Sequence, residues 1–344
     1  MPINGYDISF NGSAHRDYPV ELVYGLLWHS ADEALSLFPR YPFMNGWGGY
    51  CHSQVARQEN PENLPHKLSL CYLSIIERKY YDYEADLTSL NLKKEWDECA
   101  GNPYEGFLAG MAPYGHISLW LYSRDRSRLL LTGVGKPVDI NPADYVPFHN
   151  GESLETRCRR YTGAYPDIFG RDGRPELPPE RYFRRLSDRY TYRYLFQTYS
   201  GKEGKWINPD SDKTIFKVCD TLFDGSFNKL GDDSLLRHHT AGKPKIISVT
   251  MISGKSETHL HFFFDETAVS EVFERFYGVH HDTRADFIIR VDAPGHRYEL
   301  CLYRQGLREP VTIPAEAYKV IVFRNRFEEY RSDNYDLPRG AWIW

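Results

Sequence analysis

The sequence lacks the features of a secreted, membrane-spanning or disulfide-bonded protein. No apolar run among its 344 residues approaches the ~20 residues that a transmembrane helix needs. The first residues, MPINGYDISF, contain no basic segment followed by an apolar one, so they do not resemble a signal peptide. The six cysteines form no C-x-x-C pair, which favours free thiols in a reducing compartment. We therefore expect a soluble, cytoplasmic protein that does not bind membranes.

The sequence also lacks the common signatures of nucleotide chemistry and hydrolysis. It contains no P-loop, no dinucleotide-binding glycine motif and no G-x-S-x-G elbow. A net charge of −5 gives no general reason to expect nucleic acid as a partner. These absences favour a non-enzymatic protein without a cofactor that binds another protein.

Aromatic residues are abundant instead. The 26 Tyr and 19 Phe favour strands and half-buried surfaces over disorder. One aromatic stretch occurs twice, since APYGHISLWLY at 112–122 is echoed by APGHRYELCLY at 293–303. Five residues recur at one constant offset. This echo indicates that the chain contains an internal repeat.

The segments around the echo also correspond in order. A strand pair at 67–87 matches one at 245–265, and a helix that starts at Thr88 matches one that stops at Gly278. The sequence therefore predicts an α+β fold with two similar halves, each a mainly antiparallel sheet with one packed helix. A chance likeness between two strand-rich regions is the alternative.

The predicted organisation has three parts. Residues 1–148 form the first repeat, 149–188 a connector with a basic helix, and 189–344 the second repeat. Within the connector, 149–178 is rich in turn residues and resembles a linker. Pro179 then occupies the favoured first position of a helix.

The connector helix carries a candidate binding stripe. Arg181, Arg185 and Arg189 follow one another at four-residue intervals, a spacing that places them on one helix face. Such a face can bind phosphates or an acidic protein. A solvated surface is the alternative interpretation, because Glu180 and Asp188 dilute the charge.

A glycine-rich loop, MNGWGGYC at 44–51, supplies the other candidate contacts. Its glycines permit backbone conformations that are closed to other residues. Trp47 and Tyr50 are therefore either packed into a turn, which we favour, or displayed to a partner.

One histidine pair provides the basis for an enzymatic alternative. His259 and His261 lie two apart on a predicted strand, so both imidazoles leave the same face. With Glu266 they form H-x-H-x4-E, which resembles the first metal motif of cupins. The flanking glycines and the second motif are missing. We assign no metal site or catalytic residue, and we retain a metal-dependent enzyme with cupin-like chemistry as the alternative function.

The end of the chain is rich in large aromatic side chains. In an extended segment Trp342 and Trp344 leave the same face. We predict that this tail docks on the C-terminal half and contributes to its core. Its use in an interface with a partner is the alternative.

Several segments together resemble a bacterial family. They are DYPVELVYG, NGWGG, GMAPYGHISLWLY, ADFIIRVDAP, YELCLYRQGL and YRSDNYDLPRGAWIW. They resemble the domain-of-unknown-function family numbered twenty-nine thirty-one over both halves of the chain. Many relatives look like exported lipoproteins, but no lipobox is present in this sequence. The resemblance names no catalytic residue, and it implies a protein partner, a bacterial toxin, and a toxin-neutralising (immunity-type) role.

Overall fold

The computed structural model divides into two compact units. It describes residues 6–37, 43–49, 54–58, 64–97, 106–140, 152–164, 177–200, 202–209, 214–229, 233–254, 256–292, 297–324 and 328–331. The first unit is Met1–Ser187 with Asp224–Ser226, and the second is Asp188–Phe223 with Phe227–Trp344. Most of the predicted connector is thus counted with the first unit. The described residues contain no helix that is both long and apolar enough to span a membrane.

The first unit consists of two sheets and three described helices. Its strands are β1 (Tyr6–Ala14), β2 (Val20–Trp28), β3 (Ala34–Ser36), β4 (Gln54–Gln58), β5 (Lys67–Ser74), β6 (Lys79–Asp86), β7 (Gly106–Met111), β8 (His116–Tyr122), β9 (Arg126–Val134) and β10 (Lys136–Val138). Its helices are α1 (Leu92–Asp97), α2 (Leu154–Ala164) and α3 (Glu180–Leu186). The sheet orders are β4-β1-β7-β8-β9 and β3-β2-β5-β6-β10.

The second unit contains twelve described strands and one described α-helix. The strands are β11 (Tyr190–Ser200), β12 (Lys205–Ile207), β13 (Thr214–Leu222), β14 (Phe227–Asn228), β15 (His239–Ala241), β16 (Pro244–Ser253), β17 (Ser256–Phe264), β18 (Ala285–Val291), β19 (Tyr298–Tyr303), β20 (Val311–Thr312), β21 (Tyr318–Arg324) and β22 (Glu328–Arg331). The helix is α4 (Glu266–Tyr277). One sheet contains β11-β18-β19-β20 with β12 and β15 at the free edge of β11, and the other has the order β14-β13-β16-β17-β21-β22.

Each unit buries its core between its two sheets. In the first unit the core includes Phe10 of β1, Leu70 of β5 and Phe107 of β7. These side chains alternate with outward residues along each strand, as period-two patterning predicts. Both faces of β5 are buried, however, because Leu73 and Cys158 of α2 belong to a separate cluster on the other face.

In the second unit α4 packs into the same core as both sheets. Val269 and Phe273 contribute its buried stripe. The side chain of Asp265 caps the start by accepting a hydrogen bond from the amide of Ala268 at 2.9 Å. Gly278, with φ +57°, ends the helix where a residue with a side chain would be strained.

Each unit contains one parallel strand pairing among its described strands. β1 pairs in parallel with β7, which follows α1 in the chain. Likewise, β11 pairs in parallel with β18, which follows α4. The other described pairings within each unit are antiparallel. The fold is therefore α+β and dominated by sheet. Each unit has two sheets, whereas the sequence predicted one, because sequence patterning does not say which strands are neighbours.

Three local expectations were wrong. The segment 149–178, predicted to be a linker, contains α2. The helix predicted to start at Thr88 is a 3-10 turn followed by α1, since Asn91 takes a left-handed φ of 46° between them. Pro179 precedes α3 as its cap instead of opening it. The predicted docking of Trp342 and Trp344 lies outside the described residues.

Candidate functional site

The helix α3 packs on the first unit through an aromatic side chain. Phe183 is 2% exposed, and its ring stacks on His116 with centroids 6.0 Å apart and an interplanar angle of 28°. Tyr18 meets the same ring edge to face at 5.5 Å. With this face inward, α3 turns Arg181 and Arg184 outward, where both are exposed.

The turn beneath α3, Pro113–Gly115, is held by a carboxylate. Tyr114 has a positive φ of 60°, which is uncommon for a residue with a side chain. Its amide donates to Oε2 of Glu77 at 2.8 Å, and the hydroxyl of Tyr81 donates to Oε1 at 2.8 Å. The hydroxyl of Tyr114 donates to the carbonyl of Pro178, immediately before α3, at 3.1 Å. The carboxylate thereby fixes a strained turn and the approach of α3 to it.

His116 is a buried ionisable group of this cluster. It is 7% exposed, and among the described residues its Nε2 has no hydrogen-bond partner. Burial lowers the pKa of the imidazole below 6.5, Glu180 and Glu77 raise it in part, and Arg184 lowers it further. The imidazole is consequently neutral near pH 7 and acts as a flat, uncharged support for Phe183.

Half-exposed tyrosines and arginines surround this support. Tyr18, Tyr114 and Tyr182 are each partly exposed around Phe183. Arg181 and Arg184 are the exposed cations of α3, and Arg184 pairs with Glu180 at 2.7 Å. We call these five side chains, Tyr18, Tyr114, Tyr182, Arg181 and Arg184, the tyrosine–arginine patch. Tyr and Arg are enriched at the energetic centres of protein interfaces.

The predicted basic stripe is only partly formed. Arg181 and Arg185 lie on α3, and Arg185 is half-buried. Arg189 is not on this helix, because α3 ends at Leu186 and Arg189 belongs to the second unit. There its Nη2 donates to the carbonyl of Thr240 at 2.8 Å. The prediction of three arginines on one helix was therefore wrong.

The glycine-rich loop packs a tryptophan into the first unit. Trp47 meets the buried Trp120 edge to face, with centroids 5.2 Å apart. Trp120 donates its indole N–H to the carbonyl of Asp224 at 2.9 Å. Trp47 is therefore half-buried and packs against Trp120, and its display to a partner stays an untested alternative. Tyr50 lies outside the described residues.

The predicted histidine pair lies on β17. Nδ1 of His261 is 2.8 Å from Oγ of Ser248, and Nδ1 of His259 is 3.1 Å from Oγ1 of Thr250. Burial, and then His259, lowers the pKa of His261 to about 4. Glu266 lies beyond the strand, at the start of α4. Among the described residues no three His, Cys, Asp or Glu side chains are grouped so that they could hold a metal ion.

Sequence reasoning missed the tyrosines of the patch and His116. Tyr114 and His116 belong to the echoed stretch APYGHISLWLY, which was interpreted only as a sign of an internal repeat. The usable signal was the Pro-Tyr-Gly turn between two strands, since turns of a rigid sheet display side chains. Tyr182 lies on the connector helix, which was considered above only for its arginines, and nothing in the sequence places Tyr18 beside it.

The comparisons with known proteins identify a family for the first half of the chain. Residues 13–169 match the model of a family described as a protein of unknown function, DUF2931. No curated protein and no solved structure matches the chain. Tyr18, Glu77, Tyr114 and His116 fall within the matched region, α3 lies after it, and the second half is not covered. The first half of the chain is therefore similar to the DUF2931 family.

Proposed function

We propose that the protein is a non-enzymatic, protein-binding protein and that the tyrosine–arginine patch of the first unit is its contact surface. The specific role to test first is neutralisation of a bacterial toxin by direct binding. The observation that carries this proposal is the grouping of three half-exposed tyrosines and two exposed arginines around the buried pair Phe183 and His116.

The patch is rigid at its base, which favours tight binding. The ring of Tyr114 is tied to Pro178 through its hydroxyl, and its backbone is tied to Glu77. The hydroxyl of Tyr182 lies 3.3 Å from Nε2 of His15. Side chains that are already ordered lose less conformational entropy when a partner binds.

The charge of the patch indicates the chemistry of the partner. Arg16, Arg181 and Arg184 are exposed in this region, against the carboxylates of Asp17 and Glu180. Helix α3 itself carries three arginines against the single carboxylate of Glu180, so its own balance is positive although the whole chain carries −5. A complementary partner presents an acidic surface with apolar side chains that cover the tyrosine rings.

A cytoplasmic location accompanies this proposal. Among the described cysteines, Cys71, Cys158 and Cys301 are buried thiols outside any disulfide. Burial raises the pKa of the thiols of Cys71 and Cys158, to about 12 and about 11. Buried, unpaired thiols are typical of proteins that fold in a reducing compartment. We propose neither nucleic acid nor a membrane as partner.

The test is quantitative affinity capture from the native cell, followed by binding of the purified partner. Arg184→Glu reverses one charge of the patch next to Glu180. Arg159→Glu on α2 is the matched control, because Arg159 forms the same four-residue pair with Glu155 at 2.7 Å. We expect Arg184→Glu to weaken binding at least ~10-fold, about 1.4 kcal/mol, while Arg159→Glu retains it. Equal binding by both variants would refute the patch as the contact surface.

The enzymatic alternative is distinguished by metal analysis. A stoichiometric transition metal in the purified protein that is lost in the His259→Ala/His261→Ala variant would favour cupin-like chemistry. The same variant in the capture experiment separates the two ideas, since neither histidine belongs to the patch.

We further infer that the two units arose by duplication of one unit. Ten strands and one helix of each unit occur in the same chain order with the same partners, including the parallel pair. Phe107 and Phe287 hold corresponding buried positions beside Phe10 and Tyr194. An experimental structure tests the inference. If the units arose by duplication, one rigid-body superposition should place both sheets of one unit on those of the other.

A further inference from the structure

The second unit has a sheet face that is turned away from its core. Along β16, β17 and β21 the outward side chains form cross-strand rows: Ile246, Phe263 and Lys319; Ser248, His261 and Ile321; Thr250, His259 and Phe323. We call these nine residues the outer face. It combines aromatic and aliphatic side chains with hydroxyl and imidazole groups.

Two outer-face residues are buried although the core lies on the opposite side. Ile321 is 2% exposed and Phe263 is 7% exposed. Their neighbours Val320 and Phe262 point into the core with α4, so α4 covers the inner face. In the described part of the second unit, no α-helix lies over the outer face.

The first unit covers the corresponding face with a segment that follows its last strand. α2 comes after β10 in the chain, and its Cys158 contacts the cluster of Leu73 and Tyr80. Leu154 and Tyr161 pack against the same cluster. By the shared strand order, β21 takes the place of β10 in the second unit. The chain that follows β21 is β22 and then residues 332–344.

We propose that residues 332–344 dock on the outer face, as α2 docks in the first unit. β22 ends at Arg331, which pairs with Ile321, so the segment starts beside the row of Ile321, His261 and Ser248. Strands lie ~4.8 Å apart, so crossing from β22 to β16 takes ~15 Å. Residues 332–344 reach at most ~45 Å when extended.

The chemistry of the segment suits that face. Its sequence, SDNYDLPRGAWIW, places Trp342 and Trp344 on one side when extended. Tryptophan rings bury large apolar areas and require an acceptor for the indole N–H. Phe263, Ile321 and Phe323 supply apolar contacts, and the row of Ser248 and His261 supplies hydrogen-bonding groups.

Photo-cross-linking in the full-length chain tests the proposal. The photoreactive residue p-benzoylphenylalanine replaces Phe323 on the outer face or, as the control, Val134, an exposed apolar strand residue of the first unit. We expect an intrachain cross-link from position 323 to peptides of 332–344 and none from position 134. A cross-link from 323 only to other segments, or only to a second copy of the chain, overturns the proposal.

A second variant identifies the anchoring rings. In the background with the photoreactive residue at 323, Trp342→Ser/Trp344→Ser should lose the cross-link while circular dichroism and soluble yield stay unchanged. An undiminished cross-link contradicts docking through the tryptophans. Because the outer face is separate from the tyrosine–arginine patch, this result stands or falls independently of partner binding.

Discussion

The imidazole of His116 lies nearly parallel to the ring of Phe183, with centroids 6.0 Å apart. The contact joins the first residue of β8 to α3 and bridges a sequence separation that includes most of the predicted connector. The groups that face His116 are Glu77 near the turn and Glu180 and Arg184 on α3. Its protonation state therefore affects how α3 is held.

This relationship predicts an acid-sensitive helix. Burial lowers the pKa of His116 from 6.5, so below that pH the unfolded chain binds the proton more readily than the folded chain. The stability that the folded chain gains by keeping His116 neutral is fully present above pH 6.5. It decreases as the pH falls through the lowered pKa of His116 in the folded chain. On acidification, the protection factors of residues 180–186, which correct for the slower intrinsic hydrogen exchange in acid, should fall more than those of β5.

Substitution separates His116 from other titrating groups. His116→Phe keeps an aromatic ring against Phe183 and removes the titration, so it should flatten the pH dependence of exchange in α3. His280→Gln, at an exposed position of the second unit, is the control and should leave it unchanged. An unaltered pH profile in His116→Phe would contradict the prediction.

A buried ion pair anchors α2. Arg157 is 2% exposed and Glu21 is 8% exposed; Nε of Arg157 donates to Oε2 of Glu21 at 2.6 Å, and Nη2 donates to Oε1. Arg157→Ala leaves the carboxylate buried without its partner, so we expect a loss of ~3–5 kcal/mol in the free energy of unfolding. The double variant Arg157→Met/Glu21→Leu should recover most of that loss. Denaturant unfolding measures both, and a double variant no more stable than Arg157→Ala would contradict this account.

Two glycines of the loop at 44–49 allow steric overlap to be separated from backbone strain. Gly46 (φ +92°) and Gly48 (φ +75°) both have left-handed backbone, but a Cβ at 46 meets nothing within 4 Å. A Cβ at 48 overlaps the backbone of Gly225. We expect Gly46→Ala to cost ~1–2 kcal/mol and Gly48→Ala a further ~1–3 kcal/mol, measured by thermal or denaturant unfolding. Equal losses would show that the overlap relaxes without cost.

Removal of residues 340–344 tests tail docking through its effect on the free energy of unfolding. If Trp342 and Trp344 are buried on the second unit, the truncated chain should lose at least ~1.5–3 kcal/mol, the value of burying one large apolar side chain. Calorimetry of the full-length and truncated proteins provides the measurement. Identical unfolding temperatures would rule out docking and leave the tryptophans available to a partner.

Local elements were predictable where local rules act. The strand pair predicted at 245–265 is the hairpin of β16 and β17, turned by Gly254 with φ +59°. The stripe of α4 and its stop at Gly278 also follow from the sequence. These features depend on neighbours within a few residues, which a single sequence displays.

Long-range placements were not predictable in the same way. The helix α2 was hidden in turn-rich sequence because its stability comes from packing Cys158 on β5 and pairing Arg157 with Glu21. The tyrosine–arginine patch was missed because Tyr18, Tyr114 and Tyr182 meet only when α3 packs over the turn before β8.

The sequence by itself determined that the chain is rich in strands, that one stretch occurs twice and that the central segment carries a basic helix. The alternation of apolar and polar residues, turn residues and helix caps are local properties, and they can be recognised in a sequence without a structure. Only the tertiary structure decided which strands are neighbours, that each unit encloses its core between two sheets, and that Arg189 is separated from Arg181 and Arg185. Those outcomes depend on burying apolar faces between residues far apart in the chain, and that burial is a property of the assembled fold.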